Sequence, residues 1–331
     1  MRIRGIKTGK IFIRWLRAKV YSGALILGYH RISSSPLVSD EICVSPENFT
    51  EHLHELRKHT SPIHLSDLVK HLKDGTLPNQ SIALTFDDGY ADNLYGAKPL
   101  LEKYEIPATV FICTGYMGKE FWWDELDRLI TGSQKDLYSL ELQAGGKQFE
   151  WRHTHVSSEA GRSILQREFR RALYQFLLPL DVEDQNHAMD RIRSWSEVSS
   201  PGNSTPRAMS EQELLRLVDG GLIELGAHTR HHPMLPQLSV ERQKDEIQFS
   251  KKDLETLLNK KIEGFSYPNG LATADAKQLV REMDFTYACT SLPDVVRPRS
   301  DLYELTRFWQ QDVDGERFVK RLSRWMSMKV H

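Results

Sequence analysis

Short apolar, β-prone runs recur along this chain, and amphipathic stretches separate them. The runs are "ALILGYH" (24–30), "SIALTFDD" (81–88), "ATVFICT" (108–114), "LIELGAH" (222–228), "IEGFSYP" (262–268), "FTYACT" (285–290) and "LYELTRF" (302–308). Between them lie helix-like segments such as "PENFTEHLHELRKH" (46–59), "AKPLLEKYE" (97–105), "SEQELLRLVDGG" (210–221), "SVERQKDEIQFSKKDLETLLNKK" (239–261) and "ADAKQLVREM" (274–283). Strands that read as nearly continuous apolar runs are covered on both faces, and alternation with helices makes them parallel. About seven such strands predict an α/β fold, a distorted or incomplete (β/α) barrel. Barrels of this kind carry their chemistry at the C-terminal strand ends. The polar residues follow that rule: His30 ends the first run, Asp87 and Asp88 the second, His228 the fourth and "SYPNG" the fifth, with Arg307 near the end of the last.

Residues 116–207 exceed what one crossover needs. Within them "FWWDELDRLI" (121–130) and "SSEAGRSILQREFRRALYQFLLPL" (157–180) read as helices. "LYSLELQAGGKQFEW" (137–151) reads as a hairpin around Gly145-Gly146, and "SSPGNSTPR" (199–207) as a loop. The expected organisation is a basic amphipathic N-terminal helix over 1–20 and a barrel over 21–331, interrupted by a mixed helical and hairpin insertion at 116–207 that roofs the site.

The net charge of −1 excludes a global field for nucleic acid. Cys43, Cys113 and Cys289 are widely spaced, which fits free thiols in a reducing compartment. No run approaches transmembrane length, and no cleaved signal is expected. The first twenty residues hold seven Lys or Arg and no acid. Such a face either is solvated or lies on an anionic membrane.

Two motifs carry the chemistry. In "LTFDDGY" (84–90) adjacent carboxylates end a buried strand, which makes sense if Asp87 and Asp88 have separate tasks. In "HTRHHP" (228–233) His228 and His232 are four apart, a spacing that lets two imidazoles on one side of a helical turn share a metal. Asp88 as third ligand makes a two-His, one-carboxylate set that suits Zn2+, and also Co2+, Ni2+, Fe2+ or Mn2+. His231 is the expected bystander.

Together with the looser "YPNG" (267–270), these motifs resemble the polysaccharide deacetylase family, the NodB-homology carbohydrate esterases. "LGYHRI" (27–32) is similar to the first strand of the branch that includes poly-N-acetylglucosamine deacetylases. The resemblance covers roughly 24–120 and 215–310. It implies a hydrolase that removes acetyl groups from sugars with a divalent metal, with Asp87 as base, Asp88, His228 and His232 as ligands, and Thr229 supporting the loop. Tyr267, Asn269 and Gly270 fall at the substrate, with the Asn269 N–H facing the oxyanion.

The chain departs from the family pattern in three places. Ser266 stands where an Arg normally orients the base, and Arg307 is the expected substitute. The late histidine that acts as acid is missing from "LYELTRFW" (302–309), which makes His30 the candidate. The usual Asp-Trp pair of the acetate pocket has no match; Trp309 and Trp123 are replacements or, alternatively, core residues. The expected function is N-deacetylation of an N-acetylhexosamine in a glycan polymer, exopolysaccharide or glycolipid. O-deacetylation and a carbohydrate-binding pseudoenzyme are the alternatives. The expected location is cytoplasmic, peripheral at the inner membrane face through residues 1–20.

Overall fold

The computed structural model describes residues 23–34, 42–155, 158–198 and 206–328. The N-terminal helix expected at 1–20 lies outside them, as does most of the loop expected at 199–207. The chain order is β1 (Leu25–Tyr29), β2 (Arg31–Ile32), β3 (Cys43–Val44), α1 (Pro46–His59), β4 (Ser61–Pro62), α2 (Leu65–Asp74), β5 (Ser81–Phe86), α3 (Lys98–Tyr104) and β6 (Ala108–Ile112). Then come α4 (Trp122–Gly132), β7 (Ser139–Ala144), β8 (Lys147–Arg152), α5 (Glu159–Leu177) and α6 (Val182–Ser196). The chain continues with α7 (Glu211–Val218), β9 (Ile223–Ala227), α8 (Val240–Leu258), β10 (Gly264–Ser266), α9 (Ala274–Glu282), β11 (Tyr287–Cys289), β12 (Phe308–Trp309) and α10 (Gly315–Trp325).

Seven strands form one parallel sheet in the order β11-β10-β9-β6-β5-β1-β12, with β4 appended to β5. This is an incomplete barrel. The last expected strand, 302–308, is mostly not a strand. Only Phe308 and Trp309 pair with β1, while Leu305 bridges to Cys289 of β11. The segment 305–309 thus crosses the seam between the two edge strands, and its irregular path sets Arg307 between them.

Period-two alternation sorts the strand residues into two layers. Leu25, Leu27 and Tyr29 of β1 pack outward against the helices, together with Ile82, Leu84 and Phe86 of β5. Ile26, Ala83, Phe111, Tyr287 and Cys289 share a second cluster that α2 seals through Leu65, Leu68 and Val69. Gly28, Gly226 and Gly264 leave room in that layer for large rings: a Cβ there would meet Trp309 at 2.7 Å, Phe111 at 2.4 Å and Tyr287 at 2.5 Å. Two residues further along the same faces come His30, His228 and Ser266, and Asp87 follows Ala83 and Thr85. One alternation therefore aims all four at the same end of the sheet.

Between β6 and β9 lies a third hydrophobic cluster, built from α4, the β7–β8 hairpin, α5 and α6 around Phe169, Leu173, Met189 and Ile192. Gly145 and Gly146, at φ 56° and 68°, make the left-handed turn that a two-residue hairpin requires. The helix read over 157–180 ends at Leu177, and α6 follows it after a cap in which Asp181 accepts from the Asp184 N–H. No helix among the described residues is long and apolar enough to cross a membrane.

Candidate metal centre and active site

β5 ends at Phe86, so Asp87 and Asp88 follow the strand. Asp88 takes φ 71°, a left-handed conformation that swings its carboxylate away from its neighbour's direction. On the facing loop, His228 follows β9. The expected helical turn is absent. Thr229 and His232 both adopt left-handed backbone, at φ 60° and 56°. Thr229 donates to the His228 carbonyl and its Oγ1 accepts from the His232 N–H at 3.0 Å, which closes the turn by a side chain. Left-handed conformations at three non-glycine residues of one site cost about 1–3 kcal/mol each and persist only where packing enforces them.

The strain brings three ligand-type atoms together. Asp88 Oδ1 lies 3.6 Å from His228 Nε2 and 3.8 Å from His232 Nε2. These three residues form the one group among the described residues whose donor atoms could hold a metal. Asp88 Oδ1 is buried and has no hydrogen-bond partner. Burial, and then the Asp87 charge, push the Asp88 carboxyl well above the usual range. Burial lowers both imidazoles, His232 further under the influence of His228, so both rings favour the neutral, ligating form. The His228 Nδ1–H donates to the Ser266 carbonyl at 2.7 Å and leaves Nε2 free. An unpartnered buried carboxylate oxygen facing two unprotonated nitrogens is a donor set that fits a divalent cation.

Asp87 is held differently. Arg307 grips it through two parallel bonds, Nη1 to Oδ1 at 2.7 Å and Nη2 to Oδ2 at 2.8 Å, and the Ser266 hydroxyl donates to Oδ2 at 3.0 Å. Ser266 Oγ in turn accepts from Arg307 Nη2, while Arg307 Nε is spent on the Thr290 carbonyl and Nη1 also reaches Thr85 Oγ1. Burial alone raises the Asp87 carboxyl, but the Arg307 charge and then His228 outweigh it and hold it well below the usual carboxylate range. Asp87 Oδ2 sits 3.6 Å from His228 Nε2, so the carboxylate lies beside the candidate cation site. Ser266 supports the site twice, by its carbonyl and by its hydroxyl.

His30 stacks on Trp309, with ring centroids 4.4 Å apart and planes at 17°. The Arg307 guanidinium lies 4.7 Å from the centroid of the same indole. Burial lowers His30 to about 4, against a partial rise caused by Asp87. Trp123 packs its ring on His232, centroids 5.1 Å apart. His231 turns outward to Glu246 at 2.7 Å.

The three residues expected at the substrate follow β10 directly, on one turn. Tyr267 is fully buried in the hydrophobic core and its hydroxyl donates to the Tyr303 carbonyl, so its side chain belongs to packing. The Gly270 N–H is spent on the Tyr267 carbonyl. Asn269, at φ 56°, directs its side-chain amide to Met234 Sδ at 3.2 Å.

The half-barrel thus carries, at one end of its sheet, a two-His, one-carboxylate cluster beside an ion-paired second carboxylate. Residues 74–155 and 182–288, more than half of the chain, match the family described as polysaccharide deacetylase, and the chain belongs to that family. The match extends into the segment between β6 and β9, beyond the part covered by the sequence motifs. The chain is 31% identical over 147 residues to the Poly-beta-1,6-N-acetyl-D-glucosamine N-deacetylase of Staphylococcus aureus, 40% of this chain and 49% of that protein. It is 29% identical over 110 residues to the protein of the same name from Staphylococcus epidermidis. The matched region spans about half the length of the first of these relatives or less. In fold the chain is similar to IcaB from Ammonifex degensii (TM-score 0.59, 18% identity, covering 93% of this chain and 98% of that one). It is equally similar to the deacetylase PplD from Streptococcus pyogenes in complex with acetate (TM-score 0.58, 18% identity, 91% and 98%).

Proposed function

We propose that the protein is a metal-dependent hydrolase that removes the N-acetyl group from an N-acetylhexosamine unit of a glycan or lipid-linked sugar. The observation that carries this reading is the pairing of two adjacent carboxylates in opposite states. Asp88 presents an unpartnered oxygen to two imidazole nitrogens, and Asp87 is fixed and ionised by Arg307. Asp88, His228 and His232 would hold the cation. A bound divalent ion, zinc in first place, supplies a Lewis acid that lowers the pKa of water and polarises an acetamide carbonyl.

Asp87 acts as the base that takes the proton from the attacking water. Arg307 and Ser266 keep its carboxylate oriented and charged, at some loss of basicity. His30, held flat on Trp309, is the candidate acid that protonates the leaving nitrogen. Its ring is neutral near pH 7, so it must gain a proton within the catalytic cycle. Asn269 N–H, on the turn after β10, is the candidate donor to the oxyanion. The membership in the family and the poly-N-acetylglucosamine activity named for its staphylococcal relatives support the sugar-amide substrate.

Acetate release from N-acetylated chito-oligosaccharides, with metal analysis of the purified protein, tests the reading. Asp87→Asn is expected to lower acetate release about 10²- to 10⁴-fold while metal content stays at one ion per chain. Unchanged release by that variant removes Asp87 from the role of base. Release from O-acetylated but not N-acetylated oligomers replaces amide by ester hydrolysis.

A further inference from the structure

Three linked side chains near the site have no part in the proposed chemistry. Trp123 Nε1–H donates to the Tyr90 hydroxyl at 2.7 Å, and the Tyr90 hydroxyl donates to Asp124 Oδ2 at 2.7 Å. Tyr90 and Asp124 are buried, 0% and 5% exposed. An indole can only donate, so the Tyr90 oxygen must accept from it, and the hydroxyl proton is left for Asp124. The indole and the phenol each spend their one proton, and the plane of the indole is thereby set. Phe121 stacks on that indole at 4.6 Å and 11°, which holds it from the other direction.

The indole fixed this way is the one that meets His232 ring to ring, 5.1 Å between centroids and 60° between planes. His228 has its orientation set by the Ser266 carbonyl. The His232 ring packs against two others, His228 at 4.9 Å and Trp123 at 5.1 Å between centroids, and of these Trp123 is not a ligand. Tyr90 lies two residues after Asp88, so the middle link of the hydrogen-bond chain follows one ligand closely in sequence, and its Trp123 end packs on a second ligand. Asp124 and Trp123 belong to α4, the first helix of the segment between β6 and β9. Trp122 anchors that helix by stacking on Tyr174 of α5 at 5.1 Å.

We infer that Trp123, Tyr90 and Asp124 are positioning residues for the metal ligands: the chain from Asp124 through Tyr90 holds the Trp123 indole against His232 and so fixes its imidazole relative to Asp88. The inference rests on the metal reading of the site. Its consequence is that the segment between β6 and β9 contributes to metal affinity without supplying a ligand.

The test is carried out on the full chain. Zn2+ affinity is measured by competition with a chromophoric chelator, and the visible d–d spectrum of the Co2+-loaded protein reports ligand geometry. Tyr90→Phe and Trp123→Phe each keep a ring but break the chain. Both are expected to weaken Zn2+ binding at least about tenfold, the usual effect of losing a group that orients a ligand, and to shift the Co2+ bands. Asp124→Asn keeps an acceptor for the Tyr90 hydroxyl and is expected to stay near wild type, whereas Asp124→Leu behaves like Tyr90→Phe. Wild-type affinity and an unchanged Co2+ spectrum in both ring-retaining variants overturn the inference. If Tyr90→Phe does not fold, Trp123→Phe decides. If the wild-type protein takes up neither metal, the metal reading falls by itself. The His232 imidazole resonances of the metal-free protein then decide the positioning chain: a shift in Trp123→Phe supports it, and coincidence with wild type overturns it.

Discussion

Asp87 and Arg307 are 220 positions apart in sequence and form the most buried ion pair of the site, with the guanidinium fully enclosed. Removing one partner of such a pair leaves the other as an uncompensated buried charge, an effect of about 3–5 kcal/mol. Arg307→Met is therefore expected to lower unfolding stability by that order, read by urea denaturation, and adding Asp87→Asn to it should restore part of the loss. Arg307→Lys keeps the charge without the two-pronged grip, so its loss should appear more in acetate release than in stability. Gly28 carries a second residue-scale prediction. A Cβ there would meet three carbons of the Trp309 ring at 2.7 to 3.0 Å. Gly28→Ala is expected to tilt that ring and the His30 stacked on it, reducing turnover at least about tenfold if His30 is the acid, because acid catalysis contributes about 10²- to 10⁴-fold. Full turnover in Gly28→Ala with a displaced Trp309 fluorescence would dismiss His30 from that role. Asp87, Asp88, His228 and His232 were visible in the sequence because local spacing marks them. The departure at Ser266 points to Arg307, whereas the double use of Ser266 is not legible, since a serine at a strand end does not say which of its atoms will be used.

At the scale of elements, α1 and α10 meet across His52. Its ring stacks on Phe318 at 4.1 Å, Nε2 contacts the Val313 carbonyl at 2.8 Å, and Nδ1 lies 3.3 Å from the Tyr29 hydroxyl. Burial lowers this imidazole from 6.5 to about 4. Between those two values the unfolded chain binds a proton that the folded chain does not. Stability is full above about pH 6.5, falls as pH drops through the window, and reaches a loss of about 3 kcal/mol near pH 4. His52→Gln retains a donor for the Val313 carbonyl and cannot titrate. The gap between its urea midpoint and that of wild type should narrow from pH 7 to pH 4.5; a constant gap would refute the role of His52. Helices such as α1, α7 and α8 were readable because their caps are local: Ser45, Ser210 and Ser239 each accept from a first-turn N–H. The last strand was not. Residues 302–308 have the apolar pattern of a strand, but the seam offers partners on two different edges, and the chain divides its bonds between Leu305 on β11 and Phe308 on β1. Pattern cannot report which neighbours exist.

For the whole molecule, charge is nearly balanced, 44 basic against 45 acidic side chains, yet seven of the basic ones stand in residues 1–20 without an acid. Without those seven the remaining chain has 37 basic against 45 acidic side chains and is repelled by an anionic surface, so any attraction is concentrated in this one segment. Each Lys or Arg near an anionic leaflet contributes about 1 kcal/mol, screened within a Debye length of about 10 Å at 0.1 M salt. The interleaved Ile3, Ile6, Phe12, Ile13, Trp15 and Leu16 add apolar area to bury. We propose that this segment holds the enzyme at the inner membrane face, where a lipid-linked sugar presents its acetamide at the surface. The full chain is expected to float with vesicles containing about a third phosphatidylglycerol at low salt, and to be released at 1 M salt, where the Debye length falls to about 3 Å. The chain without residues 1–20 should remain at the bottom while keeping its acetate release from soluble oligomers, because the described site draws no residue from that segment. Equal flotation of the two forms would refute the anchor. Loss of acetate release on soluble oligomers together with flotation would instead make the segment part of the folded enzyme.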